Sequence, residues 1–518
     1  MDKKNYIIPL LLSVFLALGM ILGSNFGPGI SGGSSSTKPY QRKFEQVLGY
    51  IDNAYVDTPD KESLVESAIQ EMLVELDPYS SYISAKDLAN TNEQLDGNFE
   101  GIGVEFNILN DTVTVVNVIT GGPSERLGIL PGDKFISVEG EPIAGVGMEN
   151  NDVIRRLKGP KNTKVKVQIK RRRVNEALEF EITRDQIKIK SVVAAFMSNS
   201  TTGYIKVLRF AGNTAGDFSK GIADLMSQGA ENMIVDLRGN PGGYLGTAIE
   251  MVDEFLDADE MITYTQGRER KRTEHHSTSK GGFKTGKLCV LIDENSASAS
   301  EIFAGAIQDL DRGLIVGSRS HGKGLVQEPI ELRDGSQLRL TVARYYTPSG
   351  RCIQRPYDME IDINGDVARA DFETKSGRTV TDGGGVQPDI ELENDTVLYP
   401  PLYEAFLRKG VIYEYVLDYH DAQRQKLLSA YPEQKEFISA YSTPESVIDS
   451  MLMAAALADK LGNDAMDTKT FISDHFKALM GRYLYGDEVY YMIAKDSDPV
   501  YLEAVKAIET DQFALYGI

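Results

Sequence analysis

Between Gly203 and Val316 the chain repeats one pattern, a short apolar run followed by a stretch whose apolar residues recur at helical spacing. The runs are 204–210, 233–237, 288–292 and 314–316; the helical stretches between them are 215–228, 244–255 and 299–310. Strands that alternate with helices in this way call for a mostly parallel sheet with covering helices. At 518 residues, 42% of them hydrophobic, the chain can build several cores, and about three or four domains are expected.

Two residues in or beside this region carry chemistry. Ser298 lies in Asn295-Ser296-Ala297-Ser298-Ala299-Ser300-Glu301, where a strand gives way to a helix. A side chain there is exposed at a helix N-terminus, whose free N–H groups favour the negative charge that develops when a hydroxyl attacks a carbonyl. Serine is also a favoured N-cap, so the position alone equally fits a structural role. Lys323 follows 25 residues later, in His321-Gly322-Lys323-Gly324. To accept the serine proton it must be neutral, so its pKa must fall by roughly 3 units from about 10.4, a penalty on the ammonium of about 4 kcal/mol. The apolar runs 314–316 and 325–326 are the expected walls; a solvated loop lysine is the plain alternative.

Asp236-Leu237-Arg238-Gly239-Asn240-Pro241-Gly242-Gly243 reads as a strand end and a glycine-rich turn opening a helix. Such a turn lets backbone N–H groups converge on an anion. Two competing readings are weaker. Gly317 to Lys323 has the spacing of a phosphate-binding loop, but Gly324 stands where that loop needs a hydroxyl for Mg²⁺. A Ser-His-Asp triad built on His321 would leave Lys323 without a task.

Taken together these motifs resemble the carboxyl-terminal processing peptidase, or tail-specific protease, family over about residues 50–392. Further matches are Tyr345-Tyr346-Thr347-Pro348-Ser349-Gly350-Arg351 and Gly383-Gly384-Gly385-Val386-Gln387-Pro388-Asp389. The resemblance implies a serine-type endopeptidase with Ser298 as nucleophile, Lys323 as general base and Gln327 orienting the lysine. It implies an oxyanion hole from Ala299 with Gly242 and Gly243, and no cofactor. The implied fold is multidomain α/β: a crotonase-like (ClpP/crotonase) core, an inserted PDZ β-domain, and helical N- and C-terminal regions. The expected layout is 1–23 as membrane anchor or signal segment, 24–38 as Gly/Ser-rich linker, and 39–95 as a helical region. A PDZ domain at 96–185, the protease core at 186–398 and a helical region at 399–518 follow.

The stretch similar to a PDZ domain begins at Phe99-Glu100-Gly101-Ile102-Gly103-Val104, with Gly101, Ile102, Gly103 and Val104 matching the carboxylate-binding loop. PDZ domains capture a C-terminal carboxylate on backbone N–H groups and pair the tail with a sheet edge. The expected partners are therefore protein substrates with apolar C-terminal tails. Two departures from the family pattern stand out: Lys158 replaces an arginine, and Tyr79 replaces a histidine, read as a structural difference. A catalytically silent tail-binding scaffold is the alternative of a different class, although all three dyad-related positions are filled.

Lys3 and Lys4 precede an apolar run at 6–23, and no basic residue recurs until Lys38. That asymmetry puts the N-terminus in the cytoplasm and the rest outside. The expected location is the cell envelope, on the periplasmic side, anchored to the inner membrane or released after signal cleavage. A net charge of −21 argues against nucleic acid as a partner. The basic run 268–272 reads as a solvated loop over the active site. His275 and His276 lack the spacing of a helical metal site, and no metal is expected. Cys289 reads as a small core residue; the sequence leaves open its pairing with Cys352, and whether the chain forms a homo-oligomer. No chemical motif marks 399–518, which reads first as packing, with assembly or substrate guidance as the alternatives.

Overall fold

The computed structural model describes residues 37–109, 111–172, 174–357, 370–392, 399–458 and 465–518. The apolar run 6–23 and almost all of the linker lie outside them; among the described residues no helix is long and apolar enough to cross a membrane. The chain divides into two compact units, 1–76 and 77–518. The first holds the helices Lys38–Ala54 and Lys61–Val74. Asp60 starts the second of these, its carboxylate accepting the Ser63 N–H at 3.2 Å.

The centre of the second unit is a six-stranded sheet ordered Val192–Met197, Thr202–Val207, Asn232–Asp236, Leu288–Ile292, Leu314–Gly317 and Ile390–Glu391. The first pair is antiparallel and the others parallel, as the strand–helix alternation requires. Side chains alternate between two cores. Met233, Val235 and Val290 face the helices Thr214–Ser227, Leu245–Asp253 and Ala299–Asp309, whereas Ile234, Cys289 and Leu291 face the other side. That other face is covered by Tyr501, Ala504 and Ile508 of the helix Pro499–Glu509, together with Phe513. The packing of the core thus runs well past the boundary read at 398. An amphipathic helix carries no mark in its sequence of which sheet it will cover.

A second, antiparallel sheet is ordered Ser81–Ile83, Gln337–Tyr346, Met261–Gln266 and Thr273–His276, with Leu325–Glu331 also paired to Gln337–Tyr346. The basic run 268–272 is the tip of the hairpin between two of these strands rather than a free loop, and the Arg272 guanidinium sits 3.7 Å from the Tyr264 ring centroid. Cys289 and Cys352 are both free thiols.

Between Ser81–Ile83 and the first core strand lies a small β-domain. Its sheet is ordered Val104–Leu109, Thr112–Val118, Lys134–Val138, Lys164–Lys170 and Leu178–Thr183, with a helix at Asn150–Leu157. Val113, Val115, Phe135, Val153, Val165, Ile169 and Ile182 are fully buried in it. Val104–Leu109 pairs on one side only, leaving a free edge. The domain is joined to the core by a two-stranded neck, Asn98–Gly101 against Asp185–Lys188.

The described residues from 399 onward are mostly helical, with their own core around Phe406, Ile412, Val416, Phe437, Met451 and Phe476. The first two helices of this region, Pro401–Arg408 and Val411–Ala430, are separated where Gly410 takes φ 66°. A left-handed glycine ends a helix without the steric cost other residues would incur.

Candidate active site

The strand Leu288–Ile292 delivers the chain to Ser298, which stands directly before the helix Ala299–Asp309. Ser298 has φ 55° and ψ −110°, a conformation that costs about 1–3 kcal/mol and persists only where the surroundings enforce it. Three neighbours enforce it. Glu301, fully buried one turn into the helix, accepts the Ser298 N–H at 2.8 Å. The glycine-rich turn braces the other side: Asn240 O accepts from Ala297 N at 3.0 Å and from Ser300 Oγ at 2.9 Å. Gly242 lies so close that a Cβ there would stand 2.7 Å from Ala297 O and 2.9 Å from Ser298 Cβ.

Glu301 also ties in the lysine loop. The same Oε2 that accepts from Ser298 accepts the Lys323 N–H at 2.9 Å, while Oε1 accepts from Gly322 N at 2.7 Å and Ser320 Oγ at 2.5 Å. On the carbonyl side the buried Tyr345 hydroxyl sits between Ser298 O, at 3.0 Å, and Lys323 O. Residues 298 and 323, far apart in sequence, are therefore clipped together by their backbones at both N–H and C=O. Burial pushes the Glu301 carboxyl up against the pull of its four donors.

The Lys323 amine donates to Gln327 Oε1 at 3.0 Å. Gln327 in turn donates to the Tyr79 carbonyl, and the amine lies 4.7 Å from the Tyr79 ring centroid. No hydrogen bond joins Ser298 Oγ to Lys323 Nζ among the described residues. The walls differ from expectation: Leu314, Ile315 and Val316 are spent inside the sheet cores, and Tyr79 takes their place beside the amine. Burial holds the Lys323 pKa below the ordinary lysine range. Tyr79, read from sequence as structural, is thus part of the site; its position in the Leu76-Asp77-Pro78-Tyr79-Ser80 motif was the available signal. The His321 ring meets the Tyr79 hydroxyl, at 3.4 Å, and the Glu294 backbone, and no carboxylate side chain pairs with it among the described residues.

Of the three expected oxyanion donors, two are open. The Gly243 and Ala299 N–H groups have no acceptor among the described residues. The Gly242 N–H does not share this freedom, because it donates to Asn240 Oδ1 at 2.9 Å. Its contribution is steric: only glycine fits against Ser298 at φ 100°. Upstream, Asp236 binds Lys206 at 2.9 Å and Tyr204 Oη at 2.8 Å. Burial alone would raise its carboxyl, but Arg238 and Lys206 outweigh that and hold it well below the usual range. The remaining motifs support the lysine loop: Val386 N donates to Ser320 Oγ at 2.7 Å, and Arg351 is fully buried against Asp309 at 2.7 Å.

Comparison with known proteins fits this geometry. The model of peptidase family S41 matches residues 201–392, and a PDZ domain model matches 114–171. The activating protease CtpB N-terminal domain matches 31–87, and a family of unknown function, DUF8443, matches 402–486. The carboxy-terminal-processing protease of Bartonella bacilliformis is 37% identical over 317 residues, covering 60% of this chain and 72% of that protein. The chain belongs to the carboxy-terminal processing protease family. The Bacillus subtilis carboxy-terminal processing protease CtpB is 35% identical over 316 residues, 60% of this chain and 65% of its own. Among solved structures, the photosystem II D1 C-terminal processing protease is 25% identical with a TM-score of 0.38, covering 70% of this chain and 94% of that one.

As a carboxy-terminal processing protease the chain is a serine-type peptidase carrying a PDZ domain. Within that domain Ile102 is buried, and its carbonyl accepts from Ser124 Oγ at 2.6 Å, while Gly103 takes φ 75°. The Ile102 and Gly103 N–H groups have no backbone acceptor among the described residues. Lys158, which replaces the family's arginine, is paired with Glu93 and lies 5.3 Å from the Phe99 ring centroid.

Proposed function

We propose that this protein cuts other proteins near their C-termini with a Ser298–Lys323 dyad. Ser298 Oγ attacks the scissile carbonyl and gives its proton to Lys323 Nζ. The oxyanion rests on the Gly243 and Ala299 N–H groups, a contribution that in serine peptidases is usually the largest single term. Lys323 then returns the proton to the leaving amine, and water, activated by the same lysine, releases the acyl group. Gln327 Oε1 fixes the amine, so its lone pair has a defined direction. The observation that carries this reading is the double clip of Glu301 and Tyr345, which holds nucleophile and base residues together. The lysine must turn from Gln327 to reach Ser298, in keeping with catalytic contacts that tighten only on substrate binding.

In this reading the module at 96–185 docks an apolar C-terminal tail on the loop Gly101 to Val104 and the free edge Val104–Leu109. The module at 186–398 is the crotonase-like catalytic core. The apolar segment 6–23 places the enzyme at the cell envelope, on the periplasmic side. A tail-binding scaffold without catalysis is the competing reading. Purified full-length protein incubated with an unfolded protein ending in apolar residues is expected to cleave it, with a Ser298→Ala variant inert. Equal cleavage by both proteins sinks the dyad; cleavage by neither, with tail binding retained, leaves the scaffold.

The depressed Lys323 pKa fixes the sign of the pH dependence. Only the neutral amine accepts a proton, so kcat/KM is expected to rise with pH through one ionisation below about 10.4 and to fall as the amine protonates. A profile that is flat, or that rises as pH falls, contradicts a lysine base.

A further inference from the structure

A cavity of about 850 Å³ lies where the PDZ domain, the protease core and the C-terminal helical region meet. On one side it is bounded by the docking loop Ile102 and Gly103 and the edge residues Val104 to Phe106; on the other, by Tyr413, Leu479 and Tyr490 of the helical region. The region matched by a family of unknown function thus forms the outer wall of the groove in which a tail would add to the PDZ sheet.

The charge in this cavity does not balance. Its acidic side chains are all engaged: Glu93 with Lys158, and Glu105 and Asp487 with Arg482, at 3.4 and 2.6 Å. Lys188, Lys190 and Arg209 also line it and have no carboxylate partner among the described residues. In a chain of net charge −21, a cavity lined by five basic and three acidic side chains, three of the basic ones without a carboxylate partner among the described residues, invites an anion. Arg209 adds a second sign, for its Nε is buried without a hydrogen-bond partner, and such groups in folded proteins are met by water, an ion or a ligand. Arg209 is also adjacent to Phe210, whose N–H donates to Gly242 O at 2.9 Å and whose carbonyl accepts from Tyr244 N at 2.8 Å. Arg209 therefore lines the cavity bounded by the docking loop and is the chain neighbour of the residue that braces the oxyanion turn.

We propose that this composite groove selects substrate tails with acidic residues upstream of the apolar terminal residue, and that Arg209, Lys188 and Lys190 are the residues that read them. The terminal carboxylate would occupy the Ile102–Gly103 loop, and upstream Asp or Glu side chains would meet the three cations against the helical wall. This rests on tail docking by the PDZ domain.

The test uses the full-length Ser298→Ala chain and fluorescein-labelled ten-residue peptides that share one apolar terminal residue and carry either Glu or Gln before it. At low salt the Glu peptide is expected to bind about tenfold more tightly, the advantage shrinking as salt screens it. Arg209→Gln, and separately the exposed pair Lys188→Gln with Lys190→Gln, should each bring the Glu peptide towards the Gln peptide while leaving the latter unchanged. Equal binding of the two peptides overturns acidic selection and leaves docking intact. If neither binds, or if peptides with amidated C-termini bind as well as free acids, docking itself fails and the proposal falls with it. The lysine pair keeps the test decisive should Arg209→Gln disturb folding.

Discussion

Lys323→Ala is expected to lower kcat/KM by about a thousandfold, within the 10²–10⁴ range for loss of a general base, while thermal unfolding stays close to that of the parent. Lys323 makes one side-chain hydrogen bond, to Gln327, and its structural contact with Glu301 is through the backbone N–H, which alanine keeps. Lys323→Arg separates charge from basicity. The guanidinium preserves a cation beside Tyr79 but stays protonated at any working pH, so it should be as inactive as alanine. Activity near parental levels in the arginine variant, measured on a peptide substrate across pH, would show that the position supplies charge rather than a base, and the dyad would have to be abandoned.

Glu301→Ala is expected to damage both stability and catalysis. Removing the carboxylate leaves four donors without an acceptor: the buried Gly322 N–H and Ser320 hydroxyl, and the half-buried N–H groups of Ser298 and Lys323. Each buried donor left unmet costs about 1–3 kcal/mol, although neighbours in one network do not add simply. A loss of about 4 kcal/mol in chemical denaturation is the expected size. Ser298 would lose one of the restraints holding its φ of 55°, so the surviving folded fraction should also turn over more slowly. Glu301→Gln keeps the volume but offers a single acceptor oxygen and should fall between the two. Parental stability in the alanine variant would mean the four donors find water or other partners, and that Glu301 does not join the two loops.

The contrast between these two residues shows where the sequence was legible. Ser298 and Lys323 stand out because their chemistry is local: a serine at a strand-to-helix junction and a lysine between glycines. Gly243 follows from the same kind of reading, as an N–H in a glycine-rich turn, whereas Gln327 and Ala299 came from the resemblance to the protease family. What joins these pieces was not legible. Glu301 and Tyr345 were visible only as members of motifs, since nothing in their own neighbourhoods says that one carboxylate and one hydroxyl will meet both strands of a distant pair. Gly242 was misjudged for a related reason: a glycine-rich turn predicts free N–H groups, and only the folded turn shows that Asn240 claims one of them. The same limit hid the walls around Lys323. The nearest apolar residues in sequence belong to the sheet interior, while the ring that meets the amine comes from Tyr79, far upstream.

The neck of the PDZ domain has a consequence of another kind. Asn98–Gly101 and Asp185–Lys188 run side by side, so the chain leaves the catalytic body and returns to it at one point. Ser81–Ile83, which precedes the detour, is already hydrogen-bonded into the antiparallel sheet of that body. Closing a loop costs only slowly more as its length grows, so the neck itself sets little constraint on what hangs from it; the constraint comes from the helical region, where Arg482 meets Glu105 at 3.4 Å. The small β-domain is in this sense a cassette held at a second point: its sequence can drift while the registers of both sheets stay as they are, provided the surface that meets the helical region is kept.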